Sequence, residues 1–130
     1  MITAVDTNIL IDVINGQEKA IDALAAASTQ GQLVIGEIVY AEMCAGMALG
    51  EVEHLCKDFG IQLVRSSIQA LGLAGEIWRR YRTRHSARKE RVLADFMVAA
   101  HALVHADRLL THDRGFYRDY FKNLTILNSH

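Results

Sequence analysis

The chain has 130 residues, long enough for one domain with its own hydrophobic core, and we expect that domain to cover residues 1–130. Hydrophobic residues make up 51% of the chain, too many for a disordered protein, and no stretch approaches the roughly 18 uninterrupted apolar residues of a membrane-spanning helix. The formal net charge of −1 excludes little, because the charges are unevenly placed. The two cysteines are too few for a disulfide framework and the N-terminus lacks a secretion signal, so a cytoplasmic location with reduced thiols is expected.

Short apolar runs alternate with stretches of helical periodicity along the whole chain. The pattern predicts strands at 2–6, 33–36, 61–64 and 108–111, with another at 125–128 on the sheet edge. It predicts helices at 18–28, 37–49, 51–59, 68–85 and 91–106, and a further helix after the first strand, capped by Thr7 or Asn8. Such alternation requires crossover connections and a parallel sheet covered by helices. The sequence therefore predicts a three-layer α/β/α domain of the α/β class, with a short, mainly parallel sheet.

The first strand ends in a charged residue, Asp6, directly after the apolar run that begins at Ile2. A buried carboxylate is costly unless it is paired, hydrogen-bonded or bound to a metal. In open parallel sheets, ligands bind at the carboxyl ends of the strands, which is where Asp6 is predicted to lie. Asp6 is therefore a candidate site residue.

Three further acids have local sequence contexts that favour burial near the same edge. Asp113 follows the strand at 108–111 by two residues, Asp95 lies near the start of an apolar helix, and Glu42 is surrounded by small residues. A basic residue, Arg114, is adjacent only to Asp113. Converging carboxylates without cations would raise one another's pKa values, and a hard divalent cation such as Mg²⁺ or Mn²⁺ would relieve this repulsion. Each acid alone also has an ordinary interpretation: a helix cap for Asp6, a first-turn acid for Asp95, a solvated residue for Glu42 and a turn residue for Asp113.

The order AVDTNILID, IVYAEMCAG, VLADFMVAAHAL and RLLTHDRGFY resembles the PIN domain, and more narrowly the VapC-like toxins of bacterial toxin–antitoxin modules. The resemblance covers essentially the whole chain. It implies a PIN-like fold and a metal-dependent endoribonuclease in which Asp6, Glu42, Asp95 and Asp113 line a site for Mg²⁺ or Mn²⁺. Asp6, Asp95 and Asp113 would be the metal ligands, and Asn8 and Thr111 would be supporting polar residues. It also implies an RNA substrate, a small cognate antitoxin and a homodimer.

A basic segment between residues 79 and 91 offers candidate phosphate contacts, of which we select Arg84, Arg88 and Arg91 as RNA-binding residues. A solvated helix face is the alternative interpretation of this segment. Trp78 and Tyr81 favour core packing over base stacking, because they share helical spacing with apolar residues.

Two alternative functions are compatible with the same motifs. One is a PIN-domain RNA-processing nuclease that has no antitoxin, and the other is a PIN-fold interaction module that has lost catalysis. The presence of all four acids argues against the second. An aspartyl phosphatase would need a second acid two residues after the first, where this chain has Asn8.

Overall fold

The computed structural model describes residues 1–84 and 91–128. The strands are β1 (Ile2–Val5), β2 (Gln32–Ile35), β3 (Ile61–Leu63), β4 (Arg108–Leu110) and β5 (Ile126–Leu127). The helices are α1 (Thr7–Ile14), α2 (Glu18–Thr29), α3 (Glu37–Gly46), α4 (Leu49–Phe59), α5 (Ile68–Arg84), α6 (Leu93–His105) and α7 (Arg114–Tyr120). Within the described part of the chain, no helix has the length and apolarity needed to cross a membrane.

The five strands form one sheet in the order β3-β2-β1-β4-β5, and every neighbouring pair is parallel. The chain adds strands on one side of β1 and then returns to add β4 on its other side, so the order reverses between β1 and β4. In open α/β sheets, such a switch point leaves a crevice at the carboxyl ends of the strands. Asp6 follows β1 and residues 111–113 follow β4, so both segments lie at this crevice.

Adjacent residues on the central strands are buried together. Ala4 and Val5 of β1, and Leu109 and Leu110 of β4, are each at most 2% exposed. Since neighbouring side chains of a strand point to opposite faces, both faces of the sheet are covered. This confirms the predicted α/β class, the parallel sheet and the three layers.

The C-terminal helices are joined by a cluster of aromatic rings. Phe96 of α6 is completely buried, and its ring centroid lies 5.3 Å from those of Tyr81 and Phe116. Tyr81 is only 6% exposed, so its interpretation as a core residue holds. The cluster fixes α7 against α6, and thereby the segment that follows β4.

Two sequence predictions about helix boundaries are wrong, and one short helix was not predicted. The N-cap of α1 is Asp6, whereas the sequence predicted Thr7 or Asn8. The backbone of Asp6 is extended, and its side chain accepts a hydrogen bond from the Thr7 amide at 2.8 Å. The helix predicted at 37–49 ends at Gly46, because Met47 is extended and the Ala48 amide donates to Glu51 at the start of a new helix. No helix was predicted over the region occupied by α7, a single short element of seven residues.

His101 on α6 is a buried histidine that contacts the segments following β2 and β3. It is 4% exposed, and its Nε2 lies 2.6 Å from the carbonyl oxygen of Val64. A side chain at Gly36 would meet its ring, since an added Cβ would lie 2.9 Å from Cδ2 of His101. Burial, aided by neighbouring His105, lowers the pKa of His101 despite the hydrogen bond with Val64. His101 is therefore neutral in the folded protein near pH 7.

We predict that His101 makes the protein less stable at mildly acidic pH. Its folded-state pKa lies below the ordinary value of 6.5, so the unfolded chain takes up a proton first as the pH falls. The stability contributed by neutral His101 is complete above pH 6.5 and is lost as the pH falls through the folded-state pKa. Between pH 7.5 and 5, the free energy of unfolding measured in urea should fall less for His101→Gln than for the parent protein. The control is His54→Gln, which removes an exposed histidine and should lose as much stability as the parent over this pH range. An equal loss in all three proteins would contradict the claim that His101 causes it.

Candidate active site

Asp6 lies at the centre of the crevice and is only 7% exposed. Its Oδ2 accepts hydrogen bonds from Thr111 Oγ1 at 2.8 Å and from Tyr117 OH at 2.9 Å, and Asn8 Nδ2 lies 3.4 Å away. Its Oδ1 accepts only the Thr7 amide among the described residues, so one lone-pair direction of this oxygen remains for another ligand.

The electrostatics of Asp6 reflect a charge that is hydrogen-bonded but has no cationic partner among residues 1–84 and 91–128. Burial raises the pKa of Asp6, and this effect outweighs the hydrogen bonds from Thr111, Tyr117 and the Thr7 amide. The charge of Asp113 raises it further. Burial and the charge of Asp6 likewise raise the pKa of the Tyr117 phenol, so this hydroxyl stays protonated and acts as a donor.

Two polar residues predicted beside the first acid connect the ends of β1 and β4. Thr111 is fully buried, and its Oγ1 accepts the Asp113 amide at 3.0 Å while donating to Asp6. Asn8 Oδ1 accepts the amide of His112 at 3.3 Å. These bonds hold the turn after β4 against the start of α1.

Asp113 is paired with a cation, but the cation is Arg91 and not its neighbour Arg114. Arg91 Nη1 lies 2.5 Å from Asp113 Oδ2, and both side chains are about one-third exposed, at 32% and 31%. The Arg91 guanidinium also lies over the ring of Phe116, 4.3 Å from its centroid. Arg91 reaches Asp113 because the chain returns to this point in the segment before α6.

The remaining two acids are held by neutral groups. Asp95 Oδ2 accepts a hydrogen bond from the Val92 amide at 3.1 Å at the start of α6. The charge of Asp95, like the charges of Asp6 and Asp113, raises the pKa of Tyr117. Glu42 Oε1 accepts Thr7 Oγ1 at 2.7 Å. The expectation that Glu42 is buried is wrong: the residue is exposed on α3, because no neighbouring element covers it in the described part of the chain.

The four acids supply the oxygen ligands that Mg²⁺ and Mn²⁺ prefer. Within residues 1–84 and 91–128, however, no three His, Cys, Asp or Glu side chains are arranged as a ready metal cluster. Glu42, Asp95 and Asp113 each accept a hydrogen bond from a protein donor. The donor chemistry, the charge of Asp6, which no described residue neutralises, and the open position at its Oδ1 fit a divalent cation.

Comparison with known proteins identifies the family. The PIN domain profile matches residues 3–122. The chain belongs to the PIN-domain family. Ribonuclease VapC10 from Mycobacterium tuberculosis is 34% identical over 111 residues, which cover 82% of this chain and 79% of the relative. The resemblance to VapC-like PIN proteins is therefore confirmed.

Solved structures of similar fold come from toxin–antitoxin complexes. VapBC2 from Rickettsia felis, bound to a DNA fragment from its promoter, matches with a TM-score of 0.76 at 21% identity and covers 98% of both chains. VapBC-1 from nontypeable Haemophilus influenzae matches with a TM-score of 0.76 at 22% identity, covering 99% of this chain and 98% of the other. At these identities the likeness supports the PIN-like fold.

The basic segment is only partly described. Arg84 is exposed in the last turn of α5, whereas Arg91 is engaged with Asp113. Arg88 lies outside the described residues. Trp78 lies under the guanidinium of Arg82, whose Cζ is 4.1 Å from the ring centroid. Of the three predicted RNA-binding residues, therefore, one is exposed and one already has an anionic partner.

Sequence reasoning missed two polar contacts of this PIN domain. Tyr117 was missed because α7 was not predicted, although its aromatic residues recur at helical spacing after Asp113. The second contact is that of His112, whose Nε2 lies 2.5 Å from Asp12 Oδ2 on α1. No local signal links His112 to Asp12, since they are far apart in sequence.

We predict that Tyr117→Phe destabilises the protein by about 1.5–3 kcal/mol, the usual loss for a hydrogen bond to a charged group. The ring still fits its buried site, but Asp6 loses a donor that water cannot replace. Tyr40→Phe is the control, because its hydroxyl has no hydrogen bond among the described residues, and it should change stability by less than about 0.5 kcal/mol. Guanidinium unfolding measures both variants, and equal stabilities would show that the Tyr117–Asp6 bond contributes nothing.

Proposed function

We propose that this protein is a metal-dependent endoribonuclease that cleaves RNA phosphodiester bonds and acts as the toxin of a bacterial toxin–antitoxin pair. The observation that carries the proposal is the buried carboxylate of Asp6 at the switch point of a PIN-domain sheet, which forms no ion pair within the described part of the chain. The 34% identity to Ribonuclease VapC10 supports the reaction class. The nuclease domain is proposed to span residues 1–130.

Asp6, Asp95 and Asp113 are the proposed metal ligands, with Mg²⁺ or Mn²⁺ as the cation, and Glu42 is the fourth catalytic acid. When bound, such a cation supplies Lewis-acid stabilisation of charge on the phosphodiester and activates water for hydrolysis. The chain's own residues hold this centre in position. Thr111 and Tyr117 orient Asp6, and Thr7 orients Glu42.

RNA is the proposed substrate, and its phosphates are the groups that the basic residues would contact. Arg84, Arg88 and Arg91 are the proposed contacts, since cationic side chains near an acidic catalytic centre bind the backbone without reading sequence. Asn8 and Thr111 keep the loop after β4 fixed beside the acids.

The proposed partners are a small cognate antitoxin and a second copy of this chain, in the cytoplasm. The similar solved structures include VapBC complexes from Rickettsia felis and Haemophilus influenzae, which supports an antitoxin partner. An RNA-processing nuclease without an antitoxin is the second candidate, and an adjacent reading frame for a small DNA-binding protein would favour the toxin.

We predict that RNA cleavage requires Mg²⁺ or Mn²⁺ and that either cation raises the melting temperature of the protein. The cation binds the folded acid centre better than the unfolded chain, which stabilises by about 2.7 kcal/mol at a concentration 100 times Kd. Asp6→Asn should reduce this thermal shift, whereas Asp58→Asn, which removes an exposed acid on α4, should keep it. Cleavage at full rate in excess EDTA would contradict the proposed mechanism.

A further inference from the structure

Arg91 combines two contacts that fix its guanidinium at the edge of the acid centre. One is the ion pair with Asp113, in which Nη1 and Oδ2 are 2.5 Å apart. The other is the face of the Phe116 ring, a buried residue 7% exposed, with the guanidinium carbon 4.3 Å from its centroid. A guanidinium held by a carboxylate on one side and an aromatic ring on another has little freedom to turn away.

The charged form of Arg91 is favoured by the neighbouring acids. Desolvation opposes the charged form, but the hydrogen bond and charge of Asp113, followed by the charge of Asp95, raise the pKa of Arg91 overall. Arginine does not deprotonate in proteins, so its positive charge can leave the centre only if the side chain moves. Among the described residues, Arg91 is the one cation that forms an ion pair with any of the four acids.

We propose that Arg91 is an internal counterion of the acid centre, which would compete with a divalent cation for Asp113. This inference rests on the proposed function, because it takes Asp113 as a metal ligand. The guanidinium and a divalent cation compete for the same carboxylate, and their like charges repel each other. The side chain of Asp113 is held by this ion pair, with Arg91 Nη1 2.5 Å from its Oδ2. Arg91 is thus a positioning residue that sets how tightly the metal is held.

The neighbouring Arg114 separates direct competition from a general charge effect. It is exposed, lies next to Asp113 in sequence, and forms no ion pair with a described residue. Removing its charge changes the field at Asp113 without freeing the carboxylate. Arg91→Gln and Arg114→Gln therefore remove the same charge, and only the first removes the competitor.

The test measures the affinity of Mn²⁺ alone, at low ionic strength and fixed pH, from the free-ion signal in electron paramagnetic resonance. Arg91→Gln should bind Mn²⁺ about three- to tenfold more tightly than the parent, as expected when a partly exposed charge-assisted pair no longer competes. Arg114→Gln should change the affinity by less than about twofold, because salt and water screen exposed charges. Arg91→Lys, which keeps the charge but loses the planar fork, should lie between Arg91→Gln and the parent.

The effect of Arg91 should also depend on Asp113. In an Asp113→Asn background, which weakens Mn²⁺ binding, adding Arg91→Gln should no longer tighten it. Equal tightening by Arg91→Gln and Arg114→Gln, or no tightening by Arg91→Gln, would overturn the inference while leaving the proposed function intact. A parent protein that binds no Mn²⁺ would overturn both.

Discussion

The structure depends on one constraint, the burial of the Asp6 carboxylate at the end of the central strand. Its described hydrogen-bond partners, Thr111, Tyr117, Asn8 and the Thr7 amide, are all neutral. Neutral donors satisfy the oxygens but do not cancel the charge, so burial still raises the pKa of Asp6. The loop after β4, the start of α1 and the position of α7 are all arranged around this group.

The other acids show three different ways of holding a carboxylate at the same edge. Asp113 is neutralised by Arg91, Asp95 accepts a backbone amide at a helix start, and Glu42 accepts a hydroxyl from Thr7. Only one of these contacts is an ion pair, so the centre keeps excess negative charge beside Asp6. An excess of this kind favours a divalent cation, and the proposed nuclease activity follows from that preference together with membership of the PIN family.

Much of the fold could be predicted from the sequence, because strand runs and helical spacing are local signals. They placed Asp6 and Asp113 after the carboxyl ends of two strands, and the structure shows that these strands are parallel neighbours. The contacts of Tyr117 and Arg91 could not be predicted in this way. Tyr117 and Asp6 are 111 positions apart in the sequence, and Arg91 and Asp113 are 22 apart. Residue spacing does not predict which side chains meet over such separations, because the contacts depend on the packing of the elements and on side-chain rotamers. The short helix α7 has too few residues for a clear period, and the exposure of Glu42 depends on neighbouring elements.

The most direct test of the four-carboxylate centre is to replace Asp95 with Asn and to measure melting curves with and without Mg²⁺ alongside RNA cleavage. The substitution keeps the shape of the side chain and removes one negative charge. If Asp95 is a metal ligand, cleavage should fall by orders of magnitude and stabilisation by Mg²⁺ should shrink. The metal-free variant should be as stable as the parent or more stable, because like-charge repulsion is relieved. A variant that keeps full activity and loses about 0.3–1 kcal/mol of stability would contradict the account and leave Asp95 as a helix-capping acid.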